Sequence, residues 1–338
     1  MHNIRWAAHV MNAVSPVQNP ESRVPNLAFV FPGQGSQAVG MLSALAAQHA
    51  EIKTVFAEAS AAVSHDLWTL AQHGPEDQLN RTEHTQPALL AAGIAVWRVW
   101  RKLGGALPEL MAGHSLGEYT ALVAAEALEL GEAAALVAER GRLMQEAVPQ
   151  GEGAMAALLG GDDAVIAEVC MQAAEGQIVA PVNFNAPGQT VIAGQTDAVE
   201  RALVLLAERG VRKAVRLPVS VPSHCELMRD ASARLAERMA SIAWRMPVVP
   251  VIQNVEARAY GSIEYIRAAL ERQLYMPVRW TDSMQALAAL GVTRVAECGP
   301  GKVLSGLLKR IDKSIDARAL GMPADLDAAL GAWRVAHD

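Results

Sequence analysis

Cysteine is scarce in this sequence: Cys170, Cys225 and Cys298 are the only three in 338 residues. An odd, sparse set without a Cys-x-x-Cys pair argues against a disulfide framework and against a structural zinc site. Isolated thiols suit a reducing cytoplasm, which is the compartment we expect for this protein.

Aromatic residues, excess charge and long apolar runs are limited as well. Aromatics make up 4% of the chain, so the predicted core consists mostly of Ala, Leu and Val. A net charge of −6 provides no overall field that would attract nucleic acid. No charge-free apolar run reaches the roughly 18 residues of a membrane span. We therefore expect neither a nucleic-acid partner nor a membrane.

The N-terminal segment lacks the features of a secretory signal. Its apolar stretch is short, is interrupted by His9 and Asn12, and is followed by no clear cleavage site. We expect residues 1–25 to form a loose N-terminal extension, followed by one large globular domain or a domain with an insert.

Apolar segments alternate with helical patterns along most of the chain. Asn26–Gly33, Val249–Val255 and Val292–Gly299 each have the composition of a buried strand. Helical patterns lie between them, which predicts an α/β fold with a parallel sheet. Residues from about 150 to 220 differ, because their predicted order is β-α-β-β-α-β. That split βαβ pattern indicates a small inserted domain.

One serine has the setting of a nucleophile. Gly113–Gly117 matches the pattern G-x-S-x-G, in which glycines allow a sharp strand-to-helix turn that lifts the Ser115 hydroxyl clear of the sheet. The following helix directs free N–H groups and the positive end of its dipole towards that position. The alternative is a tight turn in which Ser115 only caps the helix.

A serine hydroxyl needs a base, and His224 is the candidate. It ends the proline-containing segment Pro218–His224 and begins a helical pattern. The alternative for His224 is a surface or helix-capping residue. His114 adjoins Ser115, so its side chain should point elsewhere and have a structural role. The remaining histidines lie in polar or terminal contexts: His2, His9, His49, His65, His73, His84 and His337.

Several motifs in register carry a family resemblance. They are FPGQGSQAVGM, TQPALLA, GHSLGEYTALVAA, RGRLMQEAV, GAMAAL, PVNFNAPGQTVIAG, PVSVPSH, RQLYMPVRW and GPGKVLSGL. Together they resemble the malonyl-CoA:acyl carrier protein transacylases, the stand-alone acyltransferases of bacterial fatty acid synthesis. Polyketide-synthase acyltransferase domains share the fold, so the pathway stays open. The resemblance implies an α/β-hydrolase-like large domain (26–148 and 221–338) and a ferredoxin-like small domain (149–220).

The resemblance also implies a catalytic arrangement. Ser115 would be the nucleophile and His224 its base, oriented by the backbone carbonyl of Gln273 in place of an Asp or Glu. The alternative for Gln273 is an ordinary residue at a helix end. The backbone N–H groups of Gln34 and Leu116 would form the oxyanion hole. The competing interpretation of the glycine-rich Gln34 segment is a phosphate-binding loop, but no Gly-Lys-[Ser/Thr] follows it.

Arg140 matches the family arginine that binds the free carboxylate of malonyl. A guanidinium can bind a carboxylate through two parallel hydrogen bonds. On pattern alone, Arg140 and Arg142 look like solvated residues near the end of a helix, and only the resemblance reverses that interpretation. An acetyl group would leave the arginine unpaired.

The implied reaction is malonyl transfer from malonyl-CoA to the phosphopantetheine thiol of acyl carrier protein, through a malonyl-serine. It needs no metal and no tightly held cofactor, and we expect a monomer. The alternatives are a serine thioesterase or hydrolase and a catalytically silent acyl-CoA-binding protein. Acyl carrier proteins are typically acidic, so docking would use a local basic patch. The candidates, which are otherwise plain surface charges, are Lys302, Lys309 and Arg310, or Arg212 and Lys213.

Overall fold

The computed structural model describes residues 26–211, 213–218 and 221–333. The predicted N-terminal extension, residues 1–25, lies outside the described residues, and so does Arg212. The described chain forms two sheets with helices packed around them.

The larger sheet is parallel, with the strand order β7-β2-β1-β8-β9. Its strands are β1 (Leu27–Phe31), β2 (Leu110–Gly113), β7 (Val251–Ile252), β8 (Arg294–Glu297) and β9 (Asp316–Ala319). All of β1 is buried, as expected for a central strand covered on both faces. This sheet confirms the α/β fold predicted from the sequence.

Two details of the larger sheet differ from the prediction. The strand predicted at Val249–Val255 is limited to Val251–Ile252. Edge strand β9 was not predicted, because its sequence, Asp-Ala-Arg-Ala, has none of the β-branched or aromatic residues typical of strands. Its pairing with β8, in the register Val295 to Ala317, is what makes it a strand.

Helix α5 is the central helix of the larger part. This helix, Thr82–Lys102, packs against α2 (Glu51–Ala62) and α7 (Leu130–Glu146). Its residues Trp97 and Trp100 lie edge-on to Phe29 of β1, with ring centroids 5.1 and 5.4 Å away. In chain order the helices are α1 (Ser43–Gln48), α2 (Glu51–Ala62), α3 (Leu67–His73), α4 (Glu76–Leu79), α5 (Thr82–Lys102), α6 (Leu116–Ala124), α7 (Leu130–Glu146), α8 (Asp163–Ala174), α9 (Thr196–Glu208), α10 (Arg229–Ala240), α11 (Ile263–Gln273), α12 (Trp280–Ala289), α13 (Val303–Ile311) and α14 (Pro323–Ala332).

The smaller sheet is antiparallel and has the order β4-β5-β3-β6. Its strands are β3 (Gly153–Leu159), β4 (Val179–Ala186), β5 (Gln189–Gln195) and β6 (Lys213–Arg216), and helices α8 and α9 cover it. The chain order β3-α8-β4-β5-α9-β6 confirms the predicted split βαβ pattern. The limits 149–220 for a separate domain remain a prediction.

The end of β4 joins the small sheet to the larger part of the molecule. The backbone N–H of Phe184 donates to the carbonyl of Val278 at 3.0 Å, and the N–H of Val278 donates to the carbonyl of Val182 at 2.8 Å. These bonds carry the following residue, Asn185, to the turn that contains Ser115.

Candidate active site

Ser115 stands in a strained turn between β2 and α6. Its backbone has φ 52° and ψ −108°, a conformation that costs a non-glycine residue of order 1–3 kcal/mol. The flanking glycines make the turn possible. A Cβ on Gly113 would collide with the backbone of Gly117, and a Cβ on Gly117 would collide with the carbonyl of Phe31. Both glycines of the G-x-S-x-G motif are therefore required for steric reasons in this turn.

The loop after β1 lies against the same turn. A Cβ on Gly33 would collide with the carbonyl oxygen of His114, so this glycine allows two backbones to pack directly. Gln34 follows it and is exposed. Within the described residues, neither the N–H of Gln34 nor that of Leu116, the first residue of α6, donates to a protein acceptor. The N–H of Ser115 is already used, donating to Oδ1 of Asn254 at 2.8 Å.

His224 lies beside Ser115 although 109 positions separate them in the chain. Its Nε2 is 2.8 Å from the Ser115 Oγ, and its Nδ1 is 2.6 Å from the backbone carbonyl oxygen of Gln273. The backbone N–H of His224 also donates to the carbonyl of Leu274 at 2.9 Å. Two consecutive carbonyls at the end of α11 thus hold the ring and the backbone of this histidine, which has a positive φ of 65°.

Burial makes the imidazole of His224 a neutral acceptor. Loss of solvent, reinforced by the positive charge of Arg140, lowers its pKa to about 3, while the hydrogen bond to the Gln273 carbonyl acts in the opposite direction. At neutral pH the ring is uncharged. Nδ1–H donates to the carbonyl, and Nε2 is left to accept the hydroxyl proton of Ser115.

Arg140 is buried rather than solvated, so the interpretation from pattern alone is wrong for this residue. It lies on the inner side of α7 and is 1% exposed. Its guanidinium donates to Oε1 of Gln86 at 2.8 Å, to Oε1 of Gln273 at 3.0 Å and to the Ser115 Oγ at 3.2 Å. Arg142, two residues on, is partly exposed and pairs with surface carboxylates, as the pattern predicts.

A buried polar network supports these groups, and sequence reasoning missed most of it. The side chain of Gln273 donates to the Ser115 carbonyl and to Glu118, each at 3.0 Å. Glu118 also accepts the N–H of Asn254 at 2.8 Å, and the Asn254 side chain donates to the Gly113 carbonyl at 2.7 Å. The one available signal was Glu118, the only charged residue in the apolar helix α6.

His114 faces away from the Ser115–His224 pair, as expected. Its Nε2 is 2.8 Å from Oδ1 of Asn185, and its ring packs against Trp280 with 5.4 Å between centroids. The side chain therefore links the turn to the end of β4 and to the start of α12.

The basic docking candidates lie in different surroundings. Lys302, Lys309 and Lys213 are exposed. Arg310 is exposed too, but donates to Oε1 of Gln189 at 2.9 Å and to the carbonyl of Pro187. It therefore links α13 to the turn between β4 and β5.

The described ranges, 26–211, 213–218 and 221–333, contain neither a cluster of metal-binding side chains nor a helix that could span a membrane. No three His, Cys, Asp or Glu side chains there lie together in a way that could hold a metal ion. No helix in that part of the chain is long and apolar enough to cross a membrane.

Comparison with known proteins gives consistent matches. Residues 28–327 match the family model described as an acyl transferase domain. The malonyl CoA-acyl carrier protein transacylase of Escherichia coli (strain K12) is 55% identical over 303 residues, covering 90% of this chain and 98% of the relative. The Haemophilus influenzae protein of the same name is 51% identical over 302 residues, covering 89% of this chain and 97% of the relative.

Solved structures agree with the sequence matches. The malonyl-CoA:acyl carrier protein transacylase of Xanthomonas oryzae has a TM-score of 0.91 and 62% identity, covering 92% of this chain and 99% of that one. A malonyl-transacylase in complex with a type II PKS acyl-carrier protein has a TM-score of 0.90 and 51% identity, covering 91% and 99% of the two chains. The chain therefore belongs to the acyl transferase family, among the malonyl CoA-acyl carrier protein transacylases.

Proposed function

We propose that this enzyme transfers a malonyl group from malonyl-CoA to the phosphopantetheine thiol of an acyl carrier protein, supplying fatty acid synthesis. The observation that carries the proposal is the position of Arg140. It places a buried positive charge 3.2 Å from the Ser115 Oγ, where the acyl group would attach. Such a charge suits an acyl group with a carboxylate close to its thioester.

In the first half-reaction, the Ser115 Oγ attacks the thioester carbon of malonyl-CoA. Nε2 of His224 accepts the hydroxyl proton at 2.8 Å, and the resulting imidazolium is held through Nδ1 by the Gln273 carbonyl. The carbon–sulfur bond then breaks, and the coenzyme A sulfur leaves with that proton as a thiol. The product is a malonyl ester on Ser115.

We assign the oxyanion hole to the N–H groups of Gln34 and Leu116. The free N–H of Leu116 lies at the positive end of α6, and the N–H of Ser115 is excluded because Asn254 accepts it. Two preorganised donors are the usual requirement for stabilising the tetrahedral intermediate of acyl transfer.

The second half-reaction reverses the first with a different thiol. The phosphopantetheine sulfur attacks the ester carbon while His224 accepts the thiol proton. The Ser115–acyl bond breaks, and the imidazolium returns the proton to the Ser115 oxygen. The carrier protein leaves as a malonyl thioester, and the enzyme is regenerated. No step requires a metal or a tightly held cofactor.

Arg140 accounts for selection of a carboxylated acyl group. Its guanidinium is held at one end by Gln86 and at the other by Gln273, so it cannot turn away when no carboxylate is present. A malonyl carboxylate would replace the Ser115 hydroxyl as its partner and form charge-assisted hydrogen bonds. An acetyl group would offer no such partner.

Intact-mass measurement with a panel of acyl-CoAs tests the proposal. We expect malonyl-CoA to add one malonyl group to the wild-type protein and none to the variant Ser115→Ala. The adduct should disappear when acyl carrier protein is supplied, with malonyl appearing on the carrier. Release as free malonate would instead favour the thioesterase or hydrolase, and a folded wild-type protein without an adduct would favour a silent acyl-CoA-binding protein.

A type II PKS acyl-carrier protein is bound in one related structure, so a polyketide pathway is the alternative source of the carrier. We propose a cytoplasmic location, because all three cysteines are free and buried thiols that suit a reducing compartment. We also propose that the enzyme is a monomer. Exposed Lys302 and Lys309 are the first candidates for docking the acidic carrier.

A further inference from the structure

The buried carboxylate of Glu118 has an unequal set of partners. Its Oε2 accepts two N–H groups, from the backbone of Asn254 at 2.8 Å and from the side chain of Gln273 at 3.0 Å. Its Oε1 is also buried but has no hydrogen-bond partner among the described residues. Oε1 is therefore the oxygen with the capacity to carry a proton.

Glu297, which is also fully buried, shows what a purely structural carboxylate site looks like. Each oxygen of Glu297 accepts a backbone N–H at the start of α13, from Leu304 at 3.0 Å and from Ser305 at 2.8 Å. Each oxygen of the Glu297 carboxylate thus has a hydrogen-bond donor. In Glu118 only one oxygen has donors, although this carboxylate is buried just as completely.

A single amide connects Glu118 to the proposed substrate-binding arginine. Nε2 of Gln273 donates to Glu118, and Oε1 of the same amide accepts from Arg140 at 3.0 Å. Because the nitrogen of an amide donates and its oxygen accepts, Glu118 and Arg140 together determine which way the Gln273 amide faces. The backbone carbonyl of Gln273 meanwhile holds His224. Glu118 therefore acts on the site through Gln273.

Few charges surround Glu118 in the described structure. Arg140 faces it from α7 and Tyr119 adjoins it on α6, while His224 lies beyond Ser115. The other elements packed against it, α11 and the segment after β7, present the amides of Gln273 and Asn254.

These surroundings leave the charge of Glu118 adjustable. Burial raises its pKa to about 7, while the donors from Asn254 and Gln273 and the charge of Arg140 act in the opposite direction. Near neutral pH the carboxyl group is therefore divided between its charged and neutral forms.

We propose that Glu118 is the counter-charge of Arg140 in the unacylated enzyme and takes up a proton when a malonyl carboxylate occupies Arg140. The inference rests on the proposed function, since it needs a carboxylated acyl group at that arginine. Two carboxylates sharing one buried guanidinium repel each other, which favours protonation of the one that water can no longer stabilise. The proton comes from solvent and binds Oε1, so the acyl-transfer chemistry is unaltered.

This coupling makes the choice between malonyl and acetyl depend on pH. Each malonyl group bound would carry a proton into the site, so malonyl affinity falls by up to about tenfold per pH unit once Glu118 is ionised. An acetyl group brings no charge to Arg140 and has no such dependence. Glu118 is thus a positioning residue that links substrate selection to pH.

Proton uptake can be measured directly on the wild-type protein without any carrier. The enzyme is mixed rapidly with malonyl-CoA at pH 7.5 in weak buffer containing a pH indicator. Acyl transfer from coenzyme A to Ser115 gives an ester and a mostly protonated thiol, so the transfer itself takes up no proton. We expect uptake of about half a proton or more per enzyme with malonyl-CoA and none with acetyl-CoA. Free coenzyme A added to the same weak buffer controls for thiol ionisation.

Two matched variants identify the group that takes up the proton. Glu118→Gln retains the shape and the acceptor oxygen but cannot titrate, so uptake should vanish. Glu139→Gln makes the same change in net charge on α7, where Glu139 pairs with Arg142 at the surface, and should leave uptake unchanged. In the wild type, the malonyl-to-acetyl ratio of kcat/KM should fall about tenfold from pH 6.5 to 8.5, against less than twofold in Glu118→Gln.

The outcomes separate this inference from the proposed function. A wild-type enzyme that forms malonyl-serine with no proton uptake and a constant ratio would overturn the role of Glu118. Uptake that persists in Glu118→Gln would overturn it too, by assigning the proton to another group. Failure to form malonyl-serine at all would instead contradict the proposed function. If Glu118→Gln does not fold, a wild-type enzyme that takes up no proton with malonyl-CoA still overturns the proposal.

Discussion

The two sheets of this protein contribute unequally to its chemistry. Ser115, Asn254 and the loop containing Gln34 all follow the carboxyl ends of parallel strands, where adjacent strand ends converge on one edge. The antiparallel sheet provides Asn185, whose side chain hydrogen-bonds to His114 beside Ser115. Parallel strands bring distant segments together at one edge, whereas hairpin-like pairing keeps neighbours in sequence together.

The same contrast appears in the buried polar residues. Between residues 149 and 220, Thr190 is the only polar or charged residue that is fully buried in the described structure. The larger part buries Glu118, Arg140, His224 and Gln273 within one connected network. Burying polar groups is unfavourable unless each has a hydrogen-bond partner. Their concentration in the larger part of the molecule therefore marks that part as the location of the functional site.

Of the substitutions that test this contrast, replacing His224 should cause the largest loss of activity. His224→Gln removes the base, and we expect acyl transfer to fall by roughly 10⁴-fold or more while the fold persists. Transfer to carrier protein would be followed by intact mass, and circular dichroism would check the fold. A loss of less than tenfold would mean that another group accepts the Ser115 proton.

The same variant tests the lowered pKa of His224. The folded protein keeps the ring neutral down to a pH of about 3, whereas the unfolded chain protonates it below about 6.5. Below pH 6.5 the unfolded state therefore binds more protons, and wild-type stability falls as the pH falls. Between pH 7.5 and 5, the urea midpoint of the wild type should fall relative to that of His224→Gln. A difference between the two midpoints that stays constant over this range would contradict a buried neutral ring.

Arg140→Ala should have the next largest effect. Loss of a buried guanidinium from a carboxylate costs about 3–5 kcal/mol, so malonyl transfer should fall by roughly 10²- to 4 × 10³-fold. Acetyl transfer should survive or improve, because it never used that charge. Arg142→Ala on the outer side of α7 is the matched control and should change both rates by less than about twofold. Equal losses for malonyl and acetyl would make Arg140 structural.

Asn185→Ala tests whether the small sheet only supports the site. It removes the hydrogen bond to His114, and we expect a stability loss of about 0.5–1.5 kcal/mol. Any fall in kcat/KM should be below about tenfold, measured with malonyl-CoA. A loss comparable to that of Arg140→Ala would break the contrast between the two sheets.

Charge reversal at the surface should have the smallest effect. Lys309→Glu should raise the KM for acyl carrier protein about threefold at low salt, with little change in kcat, because electrostatic docking mainly affects encounter. The effect should shrink as salt is added. Arg310 is a less clean target because it also contacts Pro187 and Gln189. An unchanged KM at low salt would remove Lys309 from the docking surface.

Much of the architecture could be predicted because its signals are local. Strand β1 is a continuous apolar run, and the split βαβ order follows from alternating patterns. Strand β9 could not be predicted, because only its pairing partner makes it a strand. Arg140 and Arg142 have the same residue type on the same helix, and pattern alone cannot say which one is buried.

By itself, the amino-acid sequence determined the alternation of elements and the glycine-flanked turn, because periodicity and steric demands act between near neighbours. The family resemblance, and no local pattern, implied that Ser115, His224 and Gln273 meet. The tertiary structure decided which distant groups meet. It placed His224 at the Ser115 hydroxyl, the Gln273 carbonyl at the imidazole, and Glu118 within one amide of Arg140. The physical reason is that a polar side chain is tolerated in the interior only where partners from other segments satisfy it, and no local pattern specifies those partners.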